Sequence, residues 1–230
     1  MRIISDKELI HEHLGEQFER ALSMYDTERR LQVLVDDFLG PGFLPGKRAL
    51  DVGAGLGFFS ERLQQMGAIV VATDIGEALL GRVRKRVGCD CVLADALQLA
   101  DVFGERQFDV VLSSECIEHT PSPAGALRQM CRVLRSGGKL AVSTPNRLWY
   151  PAVKLATVLR LRPFTGLENF NSFGAIRKVL AEEDVEVLYE QGLHLFPFQL
   201  PLHRASRWCD DKLQLLKGCM VNLCVLGQKR

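Results

Sequence analysis

One short stretch of the sequence, residues 49–60, constrains the fold more than any other. It reads ALDVGAGLGFFS: the first residues are apolar, as at the end of a buried strand, and Gly53, Gly55 and Gly57 follow at every second position. From Phe58 onward the apolar residues recur at helical spacing. Because glycine has no Cβ, a strand that turns through three glycines into a helix lets a ligand approach the backbone closely. We therefore predict that this turn holds a cofactor.

Strands and helices alternate after the glycine turn. Apolar runs rich in β-branched residues predict four further strands, with helical patterns around them. These runs lie at residues 68–74, 91–95, 108–115 and 139–145. Two later runs, 185–191 and 219–227, are joined without a clear crossover helix. The alternation predicts an α/β fold with a seven-stranded, mostly parallel sheet, helices on both of its faces and an antiparallel last strand.

Residues 1–46 precede this alternation and are expected to form an N-terminal helical cap. A first amphipathic helix is predicted from the spacing of Ile10, Leu14, Phe18 and Ala21. A second helix is expected to begin at a cap formed by Asp26 or Thr27 and to end at Gly40.

The length of 230 residues is enough for one domain with a full core. We divide it into the N-terminal cap (1–46), a cofactor-binding core (47–146), a substrate lid (147–171) and the C-terminal half of the sheet (172–230). Within the core, Ser122 followed by Pro123 predicts a helix that continues through Leu134 to Gly137 and Gly138.

Composition excludes some classes of protein. The formal net charge of +1 argues against a general nucleic-acid binder, so no nucleic-acid partner is expected. No apolar run approaches the roughly 18 residues of a membrane span, and the first residues lack the apolar core of a signal peptide. Seven scattered cysteines are typical of free thiols in a reducing compartment, so we expect a cytoplasmic protein.

The spacing of the glycines bears on which cofactor the turn holds. A dinucleotide-binding turn has the pattern G-x-G-x-x-G, but here the third glycine comes one position early and Phe58 stands where that pattern needs glycine. Asp51, just before the turn, would repel a pyrophosphate but suits a cationic ligand. Asp74 and Asp95 end the next two predicted strands, where carboxylates can accept hydrogen bonds from ribose hydroxyls and from an adenine amine.

The chain resembles the class I S-adenosylmethionine-dependent methyltransferases, and most closely the branch that contains the ubiquinone-biosynthesis O-methyltransferases. The motifs that carry the resemblance are LDVGAGLG, TD at Thr73 and Asp74, AD at Ala94 and Asp95, FDVVLSSECIEH, and LRSGGKLAVSTPNR. The resemblance implies a Rossmann-like fold and S-adenosylmethionine as the cofactor. The cofactor-binding residues it suggests, together with the strand-end pattern, are Arg30, Asp51, Gly53, Ala54, Gly55, Gly57, Phe58, Asp74, Ile75, Asp95, Ala96 and Ser114. Arg30 would clamp the methionine carboxylate, with Arg29 as the alternative.

His119 is the candidate general base for methyl transfer, because imidazole titrates near neutral pH and this histidine follows the fourth strand. Glu118 or Glu115 would orient it. Two other readings stay open. His119 could simply cap the loop before Pro121, or Glu115, Glu118 and His119 could together bind a divalent metal.

The methyl acceptor is predicted from the aromatic residues of the substrate lid, which suggest a flat or lipophilic small molecule. Trp149, Tyr150 and Phe164 are the candidate substrate residues, and Phe196, Phe198 and Trp208 could extend the same wall. The same residues could instead pack the core or contact a membrane surface. The favoured function is O-methylation of a phenolic or similar hydroxyl. The alternatives are an RNA 2′-O-methyltransferase, an N-methyltransferase, a non-catalytic cofactor-binding module and an NAD-linked dehydrogenase.

Overall fold

The protein is built on one seven-stranded sheet. We describe a computed structural model of the chain, which covers residues 4–9, 22–159, 166–196 and 203–230. The strands are β1 (Arg48–Val52), β2 (Ile69–Asp74), β3 (Asp90–Leu93), β4 (Phe108–Ser114), β5 (Leu134–Pro145), β6 (Val185–Leu193) and β7 (Asn222–Lys229). They are arranged in the order β3-β2-β1-β4-β5-β7-β6.

The pairing of the strands confirms the predicted sheet. β1 pairs in parallel with β2 and β4, and the outer pairs β2–β3 and β4–β5 are parallel as well. β7 lies antiparallel between β5 and β6. The strands therefore share one C-terminal edge except for β7, as in the Rossmann-like fold that the sequence predicts. Because side chains alternate along each strand, neighbouring residues such as Ala49 and Leu50 enter different hydrophobic cores on the two faces.

Helices cover both faces. The α-helices of the described residues are α1 (Met24–Leu31), α2 (Phe58–Gln65), α3 (Glu77–Val87), α4 (Leu99–Phe103), α5 (Pro123–Val133), α6 (Tyr150–Val158), α7 (Phe173–Glu182) and α8 (His203–Lys212). A π-helix (Gln32–Leu39) continues α1, and 3₁₀ turns occur at Ile117–His119, Arg147–Trp149 and Gln214–Cys219. No helix of the described ranges is long and apolar enough to cross a membrane.

The helix that begins after Ser122 has the predicted start but not the predicted end. The Ser122 cap is confirmed, since its hydroxyl accepts from the Gly125 N–H at 3.1 Å. The expected end of this helix is wrong. α5 ends at Val133, because Leu134 is already extended and pairs with Phe108. The two glycines expected to stop the helix lie within β5 instead.

The N-terminal cap also needs a correction. Ser23, rather than Asp26 or Thr27, caps α1: its hydroxyl accepts from the Asp26 N–H at 3.4 Å. Asp26 and Thr27 lie inside the first turn, where the Asp26 carboxylate binds Arg30. The chain leaves the π-helix at Gly40, as predicted. The first predicted helix, Ile10 to Ala21, lies outside the described residues.

The predicted lid leaves the sheet at the end of β5 and returns to it at one point. Asn146 and Asn171 form a parallel β-bridge that closes the base of this excursion. Within it, the Arg147–Trp149 turn leads directly into α6, none of whose residues is fully buried. Residues 160–165, which include Phe164, lie outside the described residues.

Candidate active site

The glycine turn joins β1 to α2 with all three of its glycines in the left-handed region. The φ angles are +73° at Gly53, +53° at Gly55 and +82° at Gly57, which explains why residues without a Cβ occupy these positions. A Cβ added at Gly53 would lie 2.4 Å from the Sγ atom of Cys116. The close approach that the sequence attributes to a ligand is therefore also required by a neighbouring loop of the protein itself.

Asp74 connects the end of β2 to the glycine turn. Its carboxylate accepts the Gly55 N–H at 2.9 Å and the Gly76 N–H at 3.0 Å. Asp95, after β3, accepts the Leu97 N–H at 2.9 Å. Both carboxylates are buried and line the same cavity. Because an ionised carboxylate has about four acceptor positions, such groups can bind ligand hydroxyls or amines in addition to these backbone donors.

One cavity of about 210 Å³ lies at the C-terminal edge of the strands. Ten of the twelve predicted cofactor residues line it. They are Arg30, Gly53, Ala54, Gly55, Phe58, Asp74, Ile75, Asp95, Ala96 and Ser114. The described N-terminal residues add a wall that the sequence did not predict, made of Glu8, Leu9, Leu22 and Thr27. No motif marks these four residues, because they lie outside the strand–helix alternation.

Asp51 and Gly57 are the two predicted cofactor residues that do not line this cavity. Asp51 is buried beneath the turn, where its carboxylate accepts the Ser60 hydroxyl of α2 at 2.5 Å. Burial raises the pKa of Asp51 to about 7, and the charge of Asp74 adds to this effect. Asp51 therefore links β1 to α2. Gly57 is the N-cap of α2, and a Cβ added to it would lie 3.4 Å from the Val83 side chain.

Arg30 and Arg29 point to different parts of the molecule. The Nε and Nη2 atoms of Arg30 both donate to Oδ2 of Asp26, at 3.1 and 2.8 Å, and Nη1 donates to the Ser114 hydroxyl at 2.6 Å. Arg29 binds Asp211 at 2.9 Å and Gln32 at 2.8 Å. Of the two arginines, only Arg30 lines the cavity.

A chain of hydroxyls continues from Arg30 to Glu115. The Ser114 and Ser143 hydroxyls are 2.9 Å apart, and Ser143 donates to the Glu115 carboxylate at 3.0 Å. Glu115 has a left-handed backbone, with φ of +51°, immediately after β4. Burial and the charge of Glu118 raise the pKa of Glu115 to about 7, although Arg30 acts in the opposite direction.

His119 lines the cavity with its tautomer set by the predicted lid. Its Nδ1 lies 2.8 Å from the Leu167 carbonyl oxygen. Since a carbonyl only accepts, Nδ1 carries the proton and Nε2 is the basic nitrogen. Glu118 Oε1 lies 3.7 Å from Nε2.

Glu118 is almost fully buried behind His119. Its carboxylate accepts the Thr144 hydroxyl at 3.1 Å, and burial raises its pKa to about 7. Its backbone carbonyl accepts the Asn169 N–H at 2.8 Å, and the Asn169 amide donates to the Thr120 carbonyl at 2.7 Å. The end of the lid is thus bound to both sides of His119. Throughout the described ranges, no group of three or more His, Cys, Asp or Glu side chains is arranged to hold a metal ion.

The aromatic residues at the start of the lid contact other parts of the protein. Trp149 donates its indole N–H to the Cys219 carbonyl at 2.9 Å, and Tyr150 packs edge-to-face on Phe170. Neither Trp149 nor Tyr150 lines the cavity. Phe164, the third predicted substrate residue, and Phe198 lie outside the described residues.

Comparison with known proteins agrees with this geometry. Residues 50–142 match a family model described as a methyltransferase domain. The matched residues run from β1 into β5 and make up about two fifths of the chain. Several curated relatives are named ubiquinone biosynthesis O-methyltransferase. One from Pseudomonas aeruginosa (strain LESB58) is 36% identical over 138 residues, and the match covers 56% of this chain and 59% of the relative. One from Hahella chejuensis is 37% identical over 142 residues, 59% of each chain. The chain thus matches 59% of the length of these relatives.

Solved structures share the fold of this chain over nearly its whole length. Magnesium protoporphyrin IX methyltransferase from Synechocystis PCC 6803 with bound SAH has a TM-score of 0.70 at 15% identity and covers 98% of both chains. A possible histamine N-methyltransferase from Thermotoga maritima has a TM-score of 0.70 at 20% identity, over 96% of this chain and 99% of that one. The family match and the sheet together confirm the resemblance that the motifs indicate.

Proposed function

We propose that this protein uses S-adenosylmethionine to methylate a hydroxyl, phenolic or similar, of a small molecule, with His119 as general base. One observation carries the proposal. The basic nitrogen assigned to His119 and the predicted cofactor residues Arg30, Asp74 and Asp95 belong to one cavity at the edge of a methyltransferase domain.

The residues that line the cavity fit this cofactor. Asp74 and Asp95 provide acceptors for ribose hydroxyls and an adenine amine, and Arg30 provides donors for the methionine carboxylate. Gly53 and Gly55 line the cavity, and because glycine has no side chain a ligand can approach the backbone of the turn there. When bound, S-adenosylmethionine supplies an electrophilic methyl group on a sulfonium.

The residues around His119 support its role as the base. A phenol has a pKa near 10 and an imidazole near 6.5, so the histidine takes up the proton as the oxygen attacks rather than beforehand. The Leu167 carbonyl holds the ring in the tautomer with a basic Nε2. Once Nε2 is protonated, a negative charge on Glu118, 3.7 Å away, stabilises the imidazolium.

The cofactor and the base can be tested separately. Isothermal titration with S-adenosylhomocysteine, the demethylated product, measures the cofactor site, and turnover of a panel of catechols and phenols measures the chemistry. We expect His119→Ala to bind the product as the unaltered protein does, but to lose about 10²- to 10⁴-fold in kcat. The matched control is His203→Ala, since His203 stacks on Tyr25 and does not line the cavity. Absence of product binding in the unaltered protein would refute the proposal, and full turnover by His119→Ala would refute the base.

A lipophilic acceptor is supported by the outer surface of the lid. The family match ends at residue 142, before the lid begins, so acceptor choice rests on residues that the family model does not cover. Leu148, Leu155 and Val158 are 60%, 59% and 76% exposed. We propose that this surface contacts a membrane in which the acceptor is dissolved, because exposed apolar patches mark interaction sites. Cosedimentation with phospholipid vesicles should fall when Leu155 and Val158 are both changed to serine, whereas an unchanged bound fraction would contradict the contact.

The other candidate functions make different predictions in the same assays. An RNA 2′-O-methyltransferase predicts salt-sensitive RNA binding, which the net charge of +1 does not favour. An N-methyltransferase predicts turnover of amines rather than phenols, and a non-catalytic module predicts cofactor binding with no acceptor at all.

All seven cysteines are free thiols, which supports the expected reducing, cytoplasmic compartment.

A further inference from the structure

A second histidine, His194, lies at the end of β6 on the cavity edge of the sheet. Because β6 runs antiparallel to β7, and β7 antiparallel to β5, the end of β6 faces the same way as the ends of the parallel strands. His194 is fully buried and has a left-handed backbone, with φ of +62°. Left-handed conformations of residues other than glycine carry a conformational cost, and they occur often at functional sites.

The ring of His194 lies between two carboxylates from different helices. Nε2 lies 2.9 Å from Asp26 Oδ1 in α1, and Nδ1 lies 3.8 Å from Asp210 Oδ2 in α8. The Tyr25 ring packs 5.5 Å away, and Arg29 Nη2 lies 3.9 Å from the same Asp210 oxygen. Burial disfavours the charge of Asp26, but Arg30 and His194 outweigh it, so the pKa of Asp26 is lowered and the carboxylate is ionised. Nε2 therefore donates to Asp26.

The two oxygens of Asp26 divide their partners between His194 and Arg30. Oδ1 takes His194, whereas Oδ2 takes both Nε and Nη2 of Arg30. A guanidinium has five N–H hydrogens. Among the described residues, Asp26 and Ser114 take three of those of Arg30, which leaves one hydrogen on Nη1 and one on Nη2 for a ligand. These two nitrogens form one of the two guanidinium edges that can bind a carboxylate in a bidentate pair, and Nε and Nη2, which donate to Asp26, form the other.

We infer that His194 is a positioning residue for the methyl donor. By holding Asp26 it fixes the rotation of the Arg30 guanidinium, so that Nη1 and Nη2 meet the methionine carboxylate together. This inference rests on the proposed cofactor site, and it assigns His194 no contact with the cofactor. Without the His194 hydrogen bond, Asp26 can turn about its side-chain bonds and carry the guanidinium with it.

The test compares two ligands that differ at the carboxylate. S-adenosylhomocysteine carries it, whereas 5′-methylthioadenosine has the same nucleoside but no amino-acid group. His194→Ala should weaken binding of the first about tenfold, the scale of one hydrogen bond to a charged group, and leave the second within about twofold. His194→Gln is the matched variant, because its amide can still donate to Asp26, and it should restore most of the lost affinity. Equal weakening of both ligands would indicate a general loss of structure and overturn the inference, as would unchanged binding of both.

A double-mutant cycle tests whether His194 acts through Arg30. In an Arg30→Ala background, His194→Ala should cost less than about twofold further in affinity for S-adenosylhomocysteine, because the group it positions is gone. A second full tenfold loss would overturn the inference. If the unaltered protein binds 5′-methylthioadenosine and S-adenosylhomocysteine and only the cycle fails, the proposed cofactor site stands. If it binds neither ligand, the proposed function fails as well.

Discussion

Replacing Gly53 by alanine separates two costs that usually occur together. The residue has φ of +73°, and a Cβ built on it would lie 2.4 Å from Sγ and 2.6 Å from Cβ of Cys116. Gly46 offers a reference with φ of +74° and nothing within 4 Å of the added Cβ. The two substitutions therefore share the backbone cost and differ in the contact with Cys116.

The expected magnitudes follow from that difference. An alanine in the left-handed backbone conformation destabilises the folded state by about 1–2 kcal/mol. Alanine also restricts the unfolded chain more than glycine does, which offsets about 0.4–1 kcal/mol of this cost. Gly46→Ala should therefore lower the free energy of unfolding by about 1 kcal/mol. The overpacking against Cys116 adds about 1–3 kcal/mol to this cost, so Gly53→Ala should lower the free energy of unfolding by about 3 kcal/mol in all.

Chemical denaturation of the single and double variants measures these quantities. Adding Cys116→Gly to Gly53→Ala removes both atoms of the clash. We therefore expect the double variant to be more stable, by a coupling energy of about 2 kcal/mol, than the sum of the two single substitutions predicts. Cys116→Ala leaves the Cβ in place and should rescue less. The reasoning is refuted if Gly53→Ala is no less stable than Gly46→Ala, or if the cycle shows no coupling.

Three further predictions concern the carboxylates and the lid. Folding raises the pKa of Asp51 from 3.8 to about 7, so ionisation of this carboxyl destabilises the folded protein as the pH rises from 4 to 7. In denaturant titrations, Asp51→Asn should therefore have a free energy of unfolding higher than that of the unaltered protein by up to about 4 kcal/mol at pH 8. At about pH 4 the two proteins should have nearly the same free energy of unfolding. Above pH 7, where Glu118 is mostly ionised, Glu118→Gln removes a charge 3.7 Å from the basic nitrogen of His119, and steady-state kinetics should show kcat about tenfold lower with unchanged affinity for S-adenosylhomocysteine. Asn169→Ala removes the 2.7 Å bond to the Thr120 carbonyl, and we expect a higher KM for the acceptor while product affinity stays within about twofold. A stability profile of Asp51→Asn parallel to that of the unaltered protein, an unaffected kcat in Glu118→Gln, or an unaltered KM in Asn169→Ala would each contradict its prediction.

The features that the sequence predicts well are those decided by neighbouring residues. The strand before Gly53, the acidic end of β2 at Asp74 and the cap at Ser122 each depend on a few positions of the chain, and the structure has them where the patterns indicate. The choice between Arg29 and Arg30 needs the structure, because both lie on the same helix one residue apart. Only their partners separate them: Asp211 for Arg29 and Ser114 for Arg30.

The features that the sequence could not predict depend on residues distant along the chain. Leu134 continues the apolar spacing of α5, yet its pairing with Phe108 places it in a strand. Aspartate is a common N-cap residue, but the carboxylate of Asp26 accepts a hydrogen bond from His194, 168 positions later, instead of capping the helix. The burial of Asp51 under α2 could not be predicted either, because the sequence shows only an acidic residue before a glycine turn.

The bridge between Asn146 and Asn171 has a consequence for engineering. Asn146 also donates to the Gly218 and Met220 carbonyls at 2.8 Å, and the Asn171 N–H donates to the Pro145 carbonyl at the end of β5, so both ends of the excursion are held in place. We therefore expect that residues between these two points can be exchanged for those of a relative without altering the sheet register. Leu167 and Asn169 must be retained in such a graft, because the Leu167 carbonyl holds the His119 ring and the bonds of Asn169 to Glu118 and Thr120 flank it. If the lid selects the acceptor as proposed, we expect a chimaera that exchanges only residues 147–166 to accept a different substrate while the contacts that Leu167 and Asn169 make around His119 are kept.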